Sequence, residues 1–130
     1  MVKPAIARAY YDSAAVILKR YIEHSPKIPE THMSLALCYA GSANKKKAFE
    51  EADKAIKFSE GNSMGNSDMK VAYTQILIQF GMYDEAVKLI GSLLENPSTL
   101  SVKSIENDPV FKPLAKTDKF RELIRKYSYN

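Results

Sequence analysis

This chain of 130 residues has one cysteine, two histidines, five glycines and no apolar run near the ~20 residues that a membrane-spanning helix needs. Each scarcity excludes something. With Cys38 alone there is no internal disulfide, and a reducing, cytoplasmic setting is expected. Met1-Val2-Lys3-Pro4 opens no secretory signal, so a soluble chain without membrane contact is the expectation. His24 and His32 are too few for a zinc or hydrolytic centre, which needs several converging ligands or a base beside a nucleophile. Gly61 and Gly65 lack the Lys-Ser or strand context of a phosphate loop. No acid, base and nucleophile can be assembled, so no enzyme activity, catalytic residue, cofactor or metal is expected. His24 suits a helix end, His32 takes a packing position, and Cys38 falls among apolar residues as a buried, inert thiol.

The net charge of +4 argues little for nucleic acid. Lys45-Lys46-Lys47 is answered one turn later by Glu50, Glu51 and Asp53, and the tail cluster Lys116, Lys119, Arg121, Arg125 and Lys126 is diluted by Asp118 and Glu122. A phosphate-binding stripe is purer and carries aromatics or a groove-reading helix. At 45% hydrophobic and 26% charged, the chain suffices for one compact domain.

What is present is helical periodicity. Between Pro29 and Asn62, Met33, Leu35, Ala36, Leu37 and Tyr39 mark one helix as far as Gly41. Ala48, Phe49, Ala52, Ala55, Ile56 and Phe58 mark a second at three- and four-residue steps. Only Ser42-Ala43-Asn44 joins them, which makes the two helices antiparallel, and Ala36, Ala48, Ala52 and Ala55 let their axes approach closely.

The unit recurs. An offset of 38 places Leu35 on Tyr73, Tyr39 on Leu77, Ala43 on Gly81, Ala48 on Ala86, Ala52 on Ile90 and Ala55 on Leu93. An offset of 34 backwards places Ala48 on Ala14, Ala52 on Leu18, Ile56 on Ile22 and Glu60 on Pro26. Tyr11-Asp12-Ser13-Ala14 also matches Tyr83-Asp84-Glu85-Ala86. Such internal similarity marks a repeat protein.

In these positions the chain resembles the tetratricopeptide repeat family, whose helix-turn-helix unit carries a large apolar residue, Leu-Gly, a Tyr, an Ala opening the second helix, an aromatic and a closing Pro. The central unit has His32, Leu35, Ala36, Tyr39, Ala48, Ala52 and Glu60 there, departing at His32, Ala52 and Glu60. The third keeps Gly81, Tyr83-Asp84-Glu85-Ala86 and Pro97 but has Thr74 at the Gly place. The resemblance implies an all-α fold, an α-α superhelix of helix hairpins with a C-terminal capping helix. As one domain over 1–130, it would comprise a partial repeat at 1–28, repeats at 29–62 and 67–97, and a cap at 98–130. Residues 1–28 are expected to hold a helix from about Tyr11 to His24, its partner helix lying upstream of Met1 in a longer protein and only Pro4 to Arg8 remaining of it. A single long helix is the alternative. Gly61 to Asn66 reads as a flexible loop, with Asp68 as a cap for the next helix.

In the tail, Val110, Phe111, Leu114, Phe120, Leu123 and Ile124 supply one apolar face, with a helix expected from about Thr117 to Tyr127. A repeat stack needs such a seal at its end. The run Ile105-x-x-Asp108-Pro109-x-Phe111-x-Pro113-Leu114, then Phe120-x-x-Leu123, resembles the C-terminal end of tetratricopeptide regions in multidomain bacterial signalling proteins, which follow a cyclase, kinase or DNA-binding domain. That implies the end of a longer regulatory chain.

The family geometry also implies a site. First helices line a concave groove that receives a peptide. Here the central unit would contribute Glu30, Met33, Ser34, Leu37 and Ala40, with Gly41 beside them. The third unit would contribute Asp68, Val71, Ala72, Gln75, Ile78 and Gln79. Family members that clamp acidic C-termini use Lys, Arg and Asn at such places, and none stands here. The expected function is a non-enzymatic protein-binding scaffold for an apolar peptide or helix, with basic flanks suiting the acidic edges of the groove. The alternative is an architectural segment that spaces or homodimerises a signalling enzyme.

Overall fold

A computed structural model of the chain describes residues 4–96 and 100–128. Every regular element in these residues is helical. The helices are α1 (Pro4–His24), α2 (Pro29–Gly41), α3 (Lys45–Phe58), α4 (Ser63–Gln79), α5 (Tyr83–Glu95), α6 (Val102–Asn107), a 3-10 helix (Pro109–Lys116) and α7 (Asp118–Ser128). They group into two compact units, Met1–Asn62 and Ser63–Asn130, where the sequence reading treats 1–130 as one domain.

In the first unit α2 and α3 form the expected hairpin. Pro29 at the start of α2 has no amide hydrogen to leave unpaired, and the Asn44 side chain accepts from the Lys47 amide to cap α3. Ala36, Ala40, Ala48, Ala52 and Ala55 are all buried, so the helices meet on methyl groups rather than long side chains. Lys45, Lys46, Glu50, Asp53 and Lys54 stay exposed on the opposite side of α3.

The joint of the hairpin is a Schellman turn. Asn44 N–H donates to Tyr39 O at 2.8 Å and Ala43 N–H to Ala40 O at 3.0 Å, with Ala43 in the left-handed region at φ 60°. The second unit repeats this turn in the joint between α4 and α5. Met82 N–H donates to Leu77 O at 2.8 Å, Gly81 N–H to Ile78 O at 3.0 Å, and Gly81 has φ 74°. The 38-residue offset thus holds for backbone geometry as well as for residue type. It also holds for burial. Ala36 and Thr74, Ala48 and Ala86, and Ala52 and Ile90 are fully enclosed pairs, which explains the small residues at the Ala36 and Thr74 places.

Three boundaries differ from the sequence reading. First, α1 begins at Pro4, so Pro4 to Arg8 belong to the same helix as Tyr11 to His24 and are not the remnant of a separate one. Nothing in Ala7-Arg8-Ala9 breaks a helix, and Ala and Arg are strong helix formers. Ala14 nevertheless stands as far ahead of His24 as Ala48 stands ahead of Phe58. Second, α4 begins at Ser63, so the four extra residues are a helical turn and not a loop. Four residues approximate one 3.6-residue turn, so the added turn leaves the buried face of α4 in phase. Third, Asp68 therefore lies inside α4 and does not cap it. Pro97, the expected closing residue of the third repeat, lies outside the described residues.

α1 packs on α2 in the first unit through Tyr11, Ala14, Ala15, Leu18 and Ile22 against Leu35, Cys38 and Tyr39. At Gly41 the approach is so close that a Cβ would lie 2.5 Å from the Tyr11 ring. Beside it the Ser42 hydroxyl donates to Asp12 at 3.0 Å. In the second unit the 3-10 helix packs on α4, and α7 on α5. Ser101 and Ser104 form a reciprocal capping box at the start of α6, and Asp108 accepts from the Val110 amide to start the 3-10 helix. Phe111, Leu114 and Phe120 are buried and Leu123 and Ile124 half-buried, as the expected apolar face requires. Val110 is exposed and leaves that face.

Candidate interaction surfaces

At 100° per residue, Glu30, Ser34, Leu37 and Gly41 share one face of α2, while Asp68, Ala72, Gln75 and Gln79 share one face of α4. The two sets are related by the 38-residue offset. Glu30, Ser34 and Leu37 are exposed, Leu37 at 36%. Asp68 and Gln79 are exposed, while Ala72, Gln75 and Val71 are half-buried. Met33, Ala40 and Ile78 are buried and are not offered to a ligand, contrary to the sequence reading. The reason is a matter of phase. Met33 and Ala40, and their offset partners Val71 and Ile78, lie toward one edge of these faces, and periodicity does not tell which edge a neighbouring element covers.

Each face has an acid near its N-terminal end, Glu30 in the first turn of α2 and Asp68 further into α4, and no basic residue among the positions named. Leu37 is the one large exposed aliphatic of α2.

The remaining chemically capable groups are committed elsewhere. His32 is 3% exposed, with Nε2 2.7 Å from Pro26 O, Nδ1 2.6 Å from Glu51 Oε2, and its ring 5.2 Å from that of Phe58. Both partners are acceptors, so the two contacts together call for a proton on each ring nitrogen or one on the carboxyl. Glu51 also accepts from Lys54 at 3.1 Å. His24 Nδ1 donates to Arg20 O at 2.9 Å at the end of α1. Cys38 is buried, and desolvation pushes its thiol above the ordinary value. Among the described residues no three His, Cys, Asp or Glu side chains converge as a metal site, and no helix is long and apolar enough to cross a membrane. The basic residues are partly paired or stacked. Lys19 and Lys47 stand 5.6 and 5.5 Å from the Tyr39 ring, Lys119 faces Asp84, and Arg121 pairs with Asp118.

One surface escaped the sequence reading. Ile6, Tyr10, Ile17 and Tyr21 of α1 are all exposed. Their four- and seven-residue spacing was visible, but dividing α1 near Tyr11 concealed that they share one helix face.

No family model, curated protein or solved structure matches this chain.

Proposed function

We propose that the chain is a non-enzymatic protein-binding scaffold of tetratricopeptide type, a module of a larger cytoplasmic regulatory protein, whose first helices receive an apolar peptide with basic flanks. The observation that carries the reading is the repetition between α2–α3 and α4–α5, with the same Schellman bonds and the same enclosed positions recurring at one offset. A repeat of this kind presents equivalent faces of successive first helices as a binding surface. On α2, Leu37 supplies an apolar anchor, Ser34 a hydrogen-bonding group to set register and Glu30 an acid to complement a basic flank, while Gln75 stands at the equivalent place of Leu37 on α4.

Selection of a displayed random-peptide library on the intact protein tests this. Enriched peptides should be apolar with Lys or Arg at the ends. Leu37→Glu should weaken them at least ~10-fold, the worth of one good anchor, and Glu30→Lys should remove the preference for basic flanks. Absence of enrichment, or peptides indifferent to both substitutions, refutes the reading.

A further inference from the structure

α1 has more apolar surface than α2 covers. Its Tyr11, Ala14, Ala15, Leu18 and Ile22 pack in the first unit, yet Ile6, Tyr10, Ile17 and Tyr21 remain 60%, 71%, 55% and 65% exposed. At 100° per residue these four fall within about 60° of arc, a continuous stripe along the helix. A helix facing water normally carries polar residues there. Among the described residues no Asp, Glu, Lys or Arg lies within this stripe, and His24 at its end donates to Arg20 O. Asp12 is held by Ser42, Lys19 lies over the Tyr39 ring, and only Arg20 borders it. Two hollows lie along it, one of about 440 Å³ lined by Ile6, Ala7, Tyr10 and Tyr11, the other of about 400 Å³ lined by Ile17, Arg20, Tyr21 and His24.

We propose that the exposed Ile6–Tyr10–Ile17–Tyr21 stripe of α1 is a homodimer interface in which two copies of the chain pair their α1 helices antiparallel about a twofold axis passing between Ser13 and Ala14. The spacing carries the assignment. Steps of four, seven and four residues read the same in both directions, so reversing one helix sets Ile6 against the second copy's Tyr21 and Tyr10 against its Ile17. Each ring then meets an aliphatic side chain and enters the hollow beside it. A parallel pair would set ring on ring and leave the hollows unfilled. A twofold interface requires this self-complementarity, and the small Ser13 and Ala14 at the axis permit close approach. In this register Arg20, which borders the stripe, faces Ala7 and not a second Arg20. Covering the four side chains removes about 500 Å² from each copy, about 1,000 Å² in all, which reaches the lower bound for a specific contact. The dimer is accordingly weak, with dissociation expected in the ~10–100 µM range. This inference is independent of the peptide-binding reading, because it uses neither α2 nor α4 exposed faces.

Sedimentation equilibrium of the intact chain from ~1 to ~500 µM provides the test. The apparent mass should rise from the 14.6 kDa monomer toward twice that value. Tyr10→Glu and Ile17→Glu, both at exposed positions, should shift dissociation at least ~10-fold toward monomer with an unchanged circular dichroism spectrum. Under mild oxidation Ser13→Cys should give a covalent dimer. Ile6→Cys should not, since its two copies would stand about 22 Å apart along antiparallel helices. A monomer throughout the range, a dimer indifferent to both Glu variants, or cross-linking through Ile6→Cys and not Ser13→Cys would overturn the proposal. So would association only with an added apolar helix peptide, which makes the stripe a site for a different partner.

Discussion

The contact among His32, Glu51 and Pro26 should be the most sensitive polar feature of the first unit. His32→Ala removes a buried ring that touches Phe58 and leaves both Pro26 O and Glu51 without it. Truncating a buried aromatic costs about 3–5 kcal/mol, and stranding its polar partners adds about 1 kcal/mol or more, offset by local relaxation. We expect a loss of about 4 kcal/mol, a large part of the ~5–15 kcal/mol that holds a domain together. Glu51→Ala leaves the ring in place but strips its Nδ1 contact. The Glu51 side chain is only 14% exposed, so the cost should be about 2–3 kcal/mol. Lys54, at 52% exposure, binds the same carboxylate from solvent, and Lys54→Ala should cost about 0.5 kcal/mol or less. Urea unfolding of wild type, both single mutants and His32→Ala/Glu51→Ala should give a coupling energy of about 1–3 kcal/mol. If Glu51→Ala costs no more than Lys54→Ala, or the coupling is below about 0.5 kcal/mol, the pair is incidental and the ring acts by packing alone.

Two further outcomes follow from the hairpins. Ala43 and Gly81 occupy the same left-handed turn position, so Ala43→Gly should stabilise by about 0.5–1 kcal/mol, strain relief of about 1–2 kcal/mol exceeding the added chain entropy, and Gly81→Ala should destabilise by a similar amount. Equal signs for the two in denaturant melts would contradict the shared turn geometry. Cys38 should react with a thiol reagent at least ~10-fold more slowly in the native protein than in urea, because burial shields it and disfavours its thiolate. Its folded-state value lies above the ordinary 9.0, so the unfolded chain loses this proton first and stability contributed by Cys38 is lost as pH rises from that value through the folded one. The difference in unfolding free energy between wild type and Cys38→Ala should therefore shrink above pH 9, and a difference independent of pH refutes the assignment.

Much of the architecture is written locally. The steps of Ala48, Ala52 and Ala55, the short joint Ser42-Ala43-Asn44 and its counterpart at Gly81 depend on neighbours within a few residues, and such signals survive in any context. The tail is legible for the same reason, since Leu114 stands three residues after Phe111 in the 3-10 helix, Leu123 and Ile124 stand three and four after Phe120 in α7, and Asp108-Pro109 starts a helix by its own chemistry. Sequence alone therefore determined that this chain folds as helical hairpins of one design followed by an apolar-faced end piece. Tertiary structure alone decided which side of each helix is covered. It buried Met33, Ala40 and Ile78, left Val110 and the Ile6–Tyr21 stripe in solvent, and brought Pro26, His32 and Glu51 together from three segments. Periodicity fixes the angle between side chains on one helix, but burial depends on where another helix lies, and that is set by packing between residues distant in the chain.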